Sequence, residues 1–105
     1  MSMISVVAKL TVQDGKRGEV VDGLAPMMDH VESEDGTLVY LLMEDAADEN
    51  VIWLYEQYAD QDAFQGHGAS DQMKALGAAI GGHLAAPPEL HFCTPLRGKG
   101  LVRSG

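Results

Sequence analysis

Residues 50–64 read NVIWLYEQYADQDAF, a β-branched and aromatic run that meets a polar turn and then a further aromatic. This is the pattern of a central strand handing over to a helix. Side chains alternate along a strand with period two, so Ile52, Leu54, Glu56 and Tyr58 share one face, and Val51, Trp53, Tyr55, Gln57 and Ala59 share the other. Both faces are largely apolar. Such a strand must be covered on both sides, by helices of its own chain on one and by another layer on the other.

Upstream, residues 37–44 alternate Leu38, Tyr40 and Leu42 against Val39, Leu41 and Met43, a second strand joined to the first by the acidic hairpin loop 45–50. Residues 4–12 set Ile4, Val6, Ala8, Leu10 and Val12 against Ser5, Val7, Lys9 and Thr11, a strand with one strongly buried face, and Gln13-Asp14-Gly15 breaks it. From Lys16 the period changes: Val20, Leu24, Met27 or Met28, and Val31 mark the apolar stripe of a helix that contains Pro26. Gly36 is placed to end it as a left-handed stop.

Downstream, Asp60 can cap a short helix through Phe64 that Gly66-His67-Gly68 interrupts. Ser70 caps a longer helix with the stripe Met73, Leu76, Ile80 and Leu84. Gly77, Gly81 and Gly82 weaken that helix by about 1 kcal/mol each against alanine. They fit two readings, close packing on the sheet or an enlarged cavity. Pro87-Pro88 ends the helix, and residues 89–96 supply a last strand with Leu90, Phe92 and Thr94 on one face. The expected organisation is one domain over residues 1–97 and a basic tail over 98–105 that can reach a partner.

The order is strand, helix, strand, strand, helix, strand. That is the α+β, ferredoxin-like βαββαβ pattern, with helices on one face of an antiparallel sheet. Val7, Trp53 and Tyr55 then lie on the uncovered face, and the simplest cover for so much apolar area is a second copy of the chain.

Seven Lys and Arg against sixteen Asp and Glu leave a formal net charge of −9. Nucleic acid and anionic membrane surfaces therefore repel the chain as a whole. A single cysteine, Cys93, excludes an intrachain disulfide framework and a cysteine-based zinc cluster. Without a signal-peptide pattern or a run approaching ~18 apolar residues, the expected location is cytoplasmic.

No nucleophile elbow, phosphate-cradling glycine loop or HExxH motif is present. His30, His67, His83 and His91 are scattered, and no metal site is expected from them. His67 stands out because it falls where the strand-end loop and helix meet at the mouth of a pocket, and imidazole titrates near neutral pH. Glu56 faces the helices, where a carboxylate must be hydrogen-bonded or have a raised pKa. It can pair with Lys9 or Lys74, or act as a base.

The stretches VVAKLTVQDGK with LAPMM, DGTLVYLLMED, NVIWLYEQYADQDAFQGHGASDQMKAL and PPELHFCTPL, in this order and spacing, resemble the antibiotic biosynthesis monooxygenase family of dimeric α/β barrel proteins over nearly all of residues 3–97. The resemblance implies a homodimer with its two sheets face to face and one pocket per subunit between sheet and helices. Members include cofactor-free oxygenases of quinol-like aromatic polyketides, quinol oxygenases and haem-degrading enzymes. The asparagine, tryptophan and tyrosine of the polyketide oxygenases correspond to Leu54, Tyr58 and Phe64 here. The asparagine, tryptophan and histidine of the haem-degrading branch correspond to Ala8, Tyr58 and Gly77. His67 matches a histidine common in the family, Gln72 stands where a second one is usual, and Lys74 occupies a position held by arginine.

The expected activity is that of a cofactor-independent monooxygenase, needing neither flavin nor metal, that joins molecular oxygen to a small aromatic, quinol-like substrate. His67 and Tyr58 are the catalytic candidates; Tyr40, Leu54, Glu56, Phe64, Lys74 and His83 are the substrate-binding candidates. The alternative is a dimeric small-molecule-binding or stress-response protein without this chemistry. Haem degradation, with His67 or His83 as the contact, ranks below both.

Overall fold

Strands and helices alternate in the computed structural model, which describes residues 2–101, as Ile4–Thr11 (β1), Arg17–Val31 (α1), Thr37–Glu44 (β2), Val51–Tyr58 (β3), Gln61–Gly68 (α2), Asp71–Ile80 (α3) and Glu89–Cys93 (β4). The sheet runs β2-β3-β1-β4 and every neighbouring pair is antiparallel. This is the ferredoxin-like α+β fold that the alternation requires. Its second helical segment is divided into α2 and α3.

The register follows from the two apolar periods. Ala8, Leu10 and Val12 of the first strand segment, Ile52 and Leu54 of β3, Val20, Leu24, Met27 and Val31 of α1, and Leu76 and Ile80 of α3 form one buried cluster. Each such side chain, fully buried, contributes about 1.5–3 kcal/mol, and a one-residue slip of either strand would turn its whole set outward. Pro26 lies inside α1, and the stripe continues across it from Leu24 to Met27. Asp60 accepts a hydrogen bond from Ala63 N at 2.8 Å and Ser70 Oγ one from Met73 N at 3.1 Å, so both helix starts are capped as their residue types dictate. Arg17 holds the β2–β3 loop by donating to the carbonyls of Asp45, Asp48 and Val51.

Several boundaries differ from the sequence expectation. Gly66-His67-Gly68 does not interrupt α2, which runs on through it, because the buried His67 anchors that turn in the interior. Gly36 is not a left-handed stop: among the described residues only Gly15 and Gly100 have positive φ. What requires glycine there is crowding, since a Cβ on Gly36 would stand 2.5 Å from that of Ala63. Helix α3 stops at Ile80, a 3-10 turn over Gly81–His83 follows, and Leu84 comes after it, bridged to Val12. Strand β4 ends at Cys93 and not at Leu96. Residues 102–105 of the expected tail lie outside the described residues.

The helices cover the face of Val6, Ala8, Ile52 and Leu54. Across the other face run the rows Leu41, Tyr55, Val7 and Met43, Trp53, Lys9. Val7, Trp53 and Tyr55 are half-buried, and Leu41 and Met43 are 50% and 39% exposed. Trp53 is held there by donating Nε1–H to Asp45 Oδ1 at 2.8 Å, with Lys9 Nζ 5.7 Å from its ring.

Candidate active site

Between the sheet and its helices lies a cavity of about 350 Å³. Val6, Ala8 and Leu10 of β1, Leu54 of β3, Leu24 of α1, and Met73, Leu76, Gly77 and Ile80 of α3 form its apolar walls; Leu90 of β4 and Pro88 border its edge. Polar side chains enter the lining at Tyr40, Glu56 and His67. An apolar pocket with a few converging polar groups is the usual form of a small-molecule site.

The polar end is built around His67. Helix α2 carries it inward until it is 2% exposed, between the rings of Tyr40 and Tyr58 at centroid distances of 5.2 and 5.3 Å. His67 Nδ1 lies 2.8 Å from Glu34 Oε1. Burial raises the Glu34 carboxyl, but hydrogen bonds from His67 and Thr37 and the two nearby histidines outweigh it and hold the group below its usual range. An ionised carboxylate can only accept, so Nδ1–H donates to it, and in a neutral imidazole Nε2 is then the acceptor. Nε2 is buried and has no hydrogen-bond partner among the described residues. A buried ring nitrogen without a partner, on a residue that lines a cavity, leaves room for a ligand or water to supply one.

Glu56 stands on the same wall. Burial pushes its carboxyl up, partly offset by the Tyr58 hydroxyl, which donates to Oε1 at 2.5 Å, and by the neighbouring His67. Burial and the adjacent Glu56 push both the Tyr40 and Tyr58 phenols upward, so they remain neutral. The site thus offers an unpartnered imidazole nitrogen, a carboxyl that burial biases toward its protonated form and neutral phenol groups beside an apolar cavity, a set suited to moving one proton.

Of the residues singled out in the sequence, Tyr40, Leu54, Glu56, Phe64 and His67 meet at this cavity. Tyr58 is fully buried behind it, bonded to Glu56 and edge-on to Phe64 at 5.4 Å. Lys74 is on the exposed side of α3 and does not line the cavity. His83 does not either, because the 3-10 turn directs it to α1, where Nε2 is 3.3 Å from Glu19 Oε2. Pairing of Glu56 with Lys9 or Lys74 does not occur: Lys9 is on the opposite face over Trp53, and the partner is Tyr58. Gly77 and Gly81 settle between their two readings, since a Cβ on either would meet nothing within 4 Å and both line the cavity. Close packing belongs instead to Gly23, whose Cβ would come within 2.7 Å of Ile80 Cγ2.

Glu34 is the residue that sequence reasoning missed. It sits in the turn after α1, thirty-three positions before His67, in what reads as a plain acidic loop end. Its one signal is its place two residues before the Gly36 that lets α2 approach. Among the described residues no group of three or more His, Cys, Asp or Glu is placed to hold a metal ion. Ala8 and Gly77, which stand where the haem-degrading branch has polar ligands, offer no ligating atom.

The family model described as antibiotic biosynthesis monooxygenase matches residues 3–79. A candidate antibiotic biosynthesis monooxygenase from Caulobacter crescentus is 36% identical, with a TM-score of 0.87 over 91% of this chain and 92% of that one. Rv0793 from Mycobacterium tuberculosis is 26% identical, with a TM-score of 0.85 over 94% and 100% of the two chains. At 16% identity, a protein from Nitrosomonas europaea shares the fold with a TM-score of 0.87 over 94% of this chain and 95% of its own. No curated protein matches the chain. With the family model covering most of its length, this chain belongs to the antibiotic biosynthesis monooxygenase family.

Proposed function

We propose that the protein is a cofactor-independent monooxygenase of small hydroxylated aromatics of quinol or anthrone type, working as a homodimer with residues 1–97 as the catalytic unit. The observation that carries this is His67, which lines an apolar cavity with its Nδ1 held by Glu34 and its Nε2 buried and unpartnered. Nε2 takes the proton of a substrate hydroxyl, and Glu34 stabilises the imidazolium that forms. The resulting electron-rich anion passes one electron to molecular oxygen. The two radicals combine at a ring carbon to give a hydroperoxide, which loses its C–H proton and expels water as the carbonyl forms. For a CH2 centre the balance is substrate plus O2 to ketone plus H2O. Both protons removed from the substrate end in that water, so His67 returns the proton it took. The apolar walls hold the ring and keep bulk water from the anion.

The dimer reading rests on the open sheet face of Val7, Leu41, Met43, Trp53 and Tyr55. A second copy with its own sheet is the simplest layer that fits it.

Oxygen uptake with a panel of hydroxynaphthoquinols and anthrones tests the activity. Consumption of one O2 per product, lost in His67→Ala, is expected; no turnover of any of them by the folded protein contradicts it. A second reading is a binding module without turnover, favoured by Leu54, Tyr58 and Phe64 standing where the polyketide oxygenases have asparagine, tryptophan and tyrosine. A ligand that raises Tm and is recovered unchanged supports that reading.

A further inference from the structure

The α3 wall of the cavity lacks two side chains. Gly77 and Gly81 are one helical turn apart and stack on the same side. Neither has a conformational reason to be glycine, since Gly81 has φ −55° and neither has positive φ. Neither has a packing reason, since a Cβ on either meets nothing within 4 Å. Both are exposed, and both line the cavity. The same lining includes Ala8 of β1, the smallest side chain of the sheet wall. His67 and the half-exposed Leu90 line the same cavity. Independent of the glycines, the 2%-exposed His67, whose buried Nε2 has no hydrogen-bond partner among the described residues, lines this same cavity.

We propose that Gly77 and Gly81 are specificity-determining residues, which hold open an apolar slot for two or more fused rings entering hydroxyl first, and that side chains there would restrict the site to a single ring. This deepens the reading of His67 as the group that meets the substrate hydroxyl; the size selection itself is a property of the slot. Apolar walls discriminate by size and exclude ligands with a charge on the distal ring.

Anaerobic titration calorimetry of the full chain with phenol, 1-naphthol and a hydroxyanthracene measures the selection without turnover. The wild type is expected to bind more tightly with each added ring. Gly77→Leu should weaken the three-ring ligand by roughly tenfold or more and leave phenol unchanged, with Gly77→Ala between them and Gly81→Leu acting in the same direction. Leucine is a better helix former than glycine, and thermal melting verifies that each variant is folded. An unchanged ligand ranking in both leucine variants, or a wild type indifferent to ring number, overturns the proposal. Ring-size selection that is present without any oxygen uptake upholds the slot and sinks the oxygenase reading alone.

Discussion

Glu34 and Glu56 are two carboxyls at one site driven in opposite directions, and each makes a separate prediction. Glu34 is held below its usual range by what it accepts, so its contribution to stability is present above about pH 4.3 and fades as pH falls through the folded value. In the proposed mechanism its role is to orient His67 and balance the imidazolium, with substrate meeting His67. Glu34→Gln should lower kcat by about 10²-fold with KM little changed, since substrate touches His67 and not Glu34. An equal rise in KM with kcat intact would assign Glu34 to binding instead. Glu56 is raised by burial, so the folded state holds its proton more tightly than the unfolded chain does. The stability this gives is complete below about pH 4.3 and is lost as pH rises through the folded value. Glu56→Gln imitates the protonated form and keeps an acceptor for Tyr58. In urea melts at pH 4.5 and pH 8, the variant's advantage over wild type should grow with pH; a constant or shrinking gap would mean that Glu56 ionises without cost.

Among the elements, the four strands and the face each presents were readable because burial enforces periods of two and 3.6 over whole segments. What the chain does at its glycines was not. Gly36, Gly66 and Gly68 all read as punctuation, but α2 passes through the last two, and Gly36 serves a contact with Ala63 that is twenty-seven residues away and has no local trace. The same limit hid half of the candidate site. His67 was legible from its position between strand end and helix, whereas its partner Glu34 becomes visible only when α2 is laid beside the turn after α1. Lys74, singled out by its match to a basic position of the family, lies on the exposed side of α3 away from this cavity, and His83 is directed away from it by the 3-10 turn that follows Ile80. The glycines can be told apart by stability. Gly36→Ala forces two Cβ atoms together and should destabilise by about 1–3 kcal/mol. Gly77→Ala meets open space in mid-helix and should stabilise by roughly 0.5–1 kcal/mol. Equal shifts for both in chemical denaturation would contradict the packing described at Gly36.

At the level of the whole molecule, one sheet face is sealed by the helices around a chemically equipped cavity, and the other exposes Leu41 and Met43 beside Trp53 and Tyr55. A standard interface buries about 800 Å² per partner, and at roughly 25 cal/mol per Å² of apolar area the gain exceeds the usual cost of association. Sedimentation at micromolar concentration should therefore find a dimer, and Leu41→Glu, which sets a charge on that face, should dissociate it. A cooperatively folded wild-type monomer would mean that the face is covered from within the chain. The central claim is chemical, and labelled oxygen tests it most directly. Purified protein turning over an anthrone under ¹⁸O2, with no flavin or metal added, should place one labelled atom in the quinone and the other in water, and His67→Ala should abolish the labelling. Product without label, or labelling that is as fast in His67→Ala as in the wild type, would contradict the account.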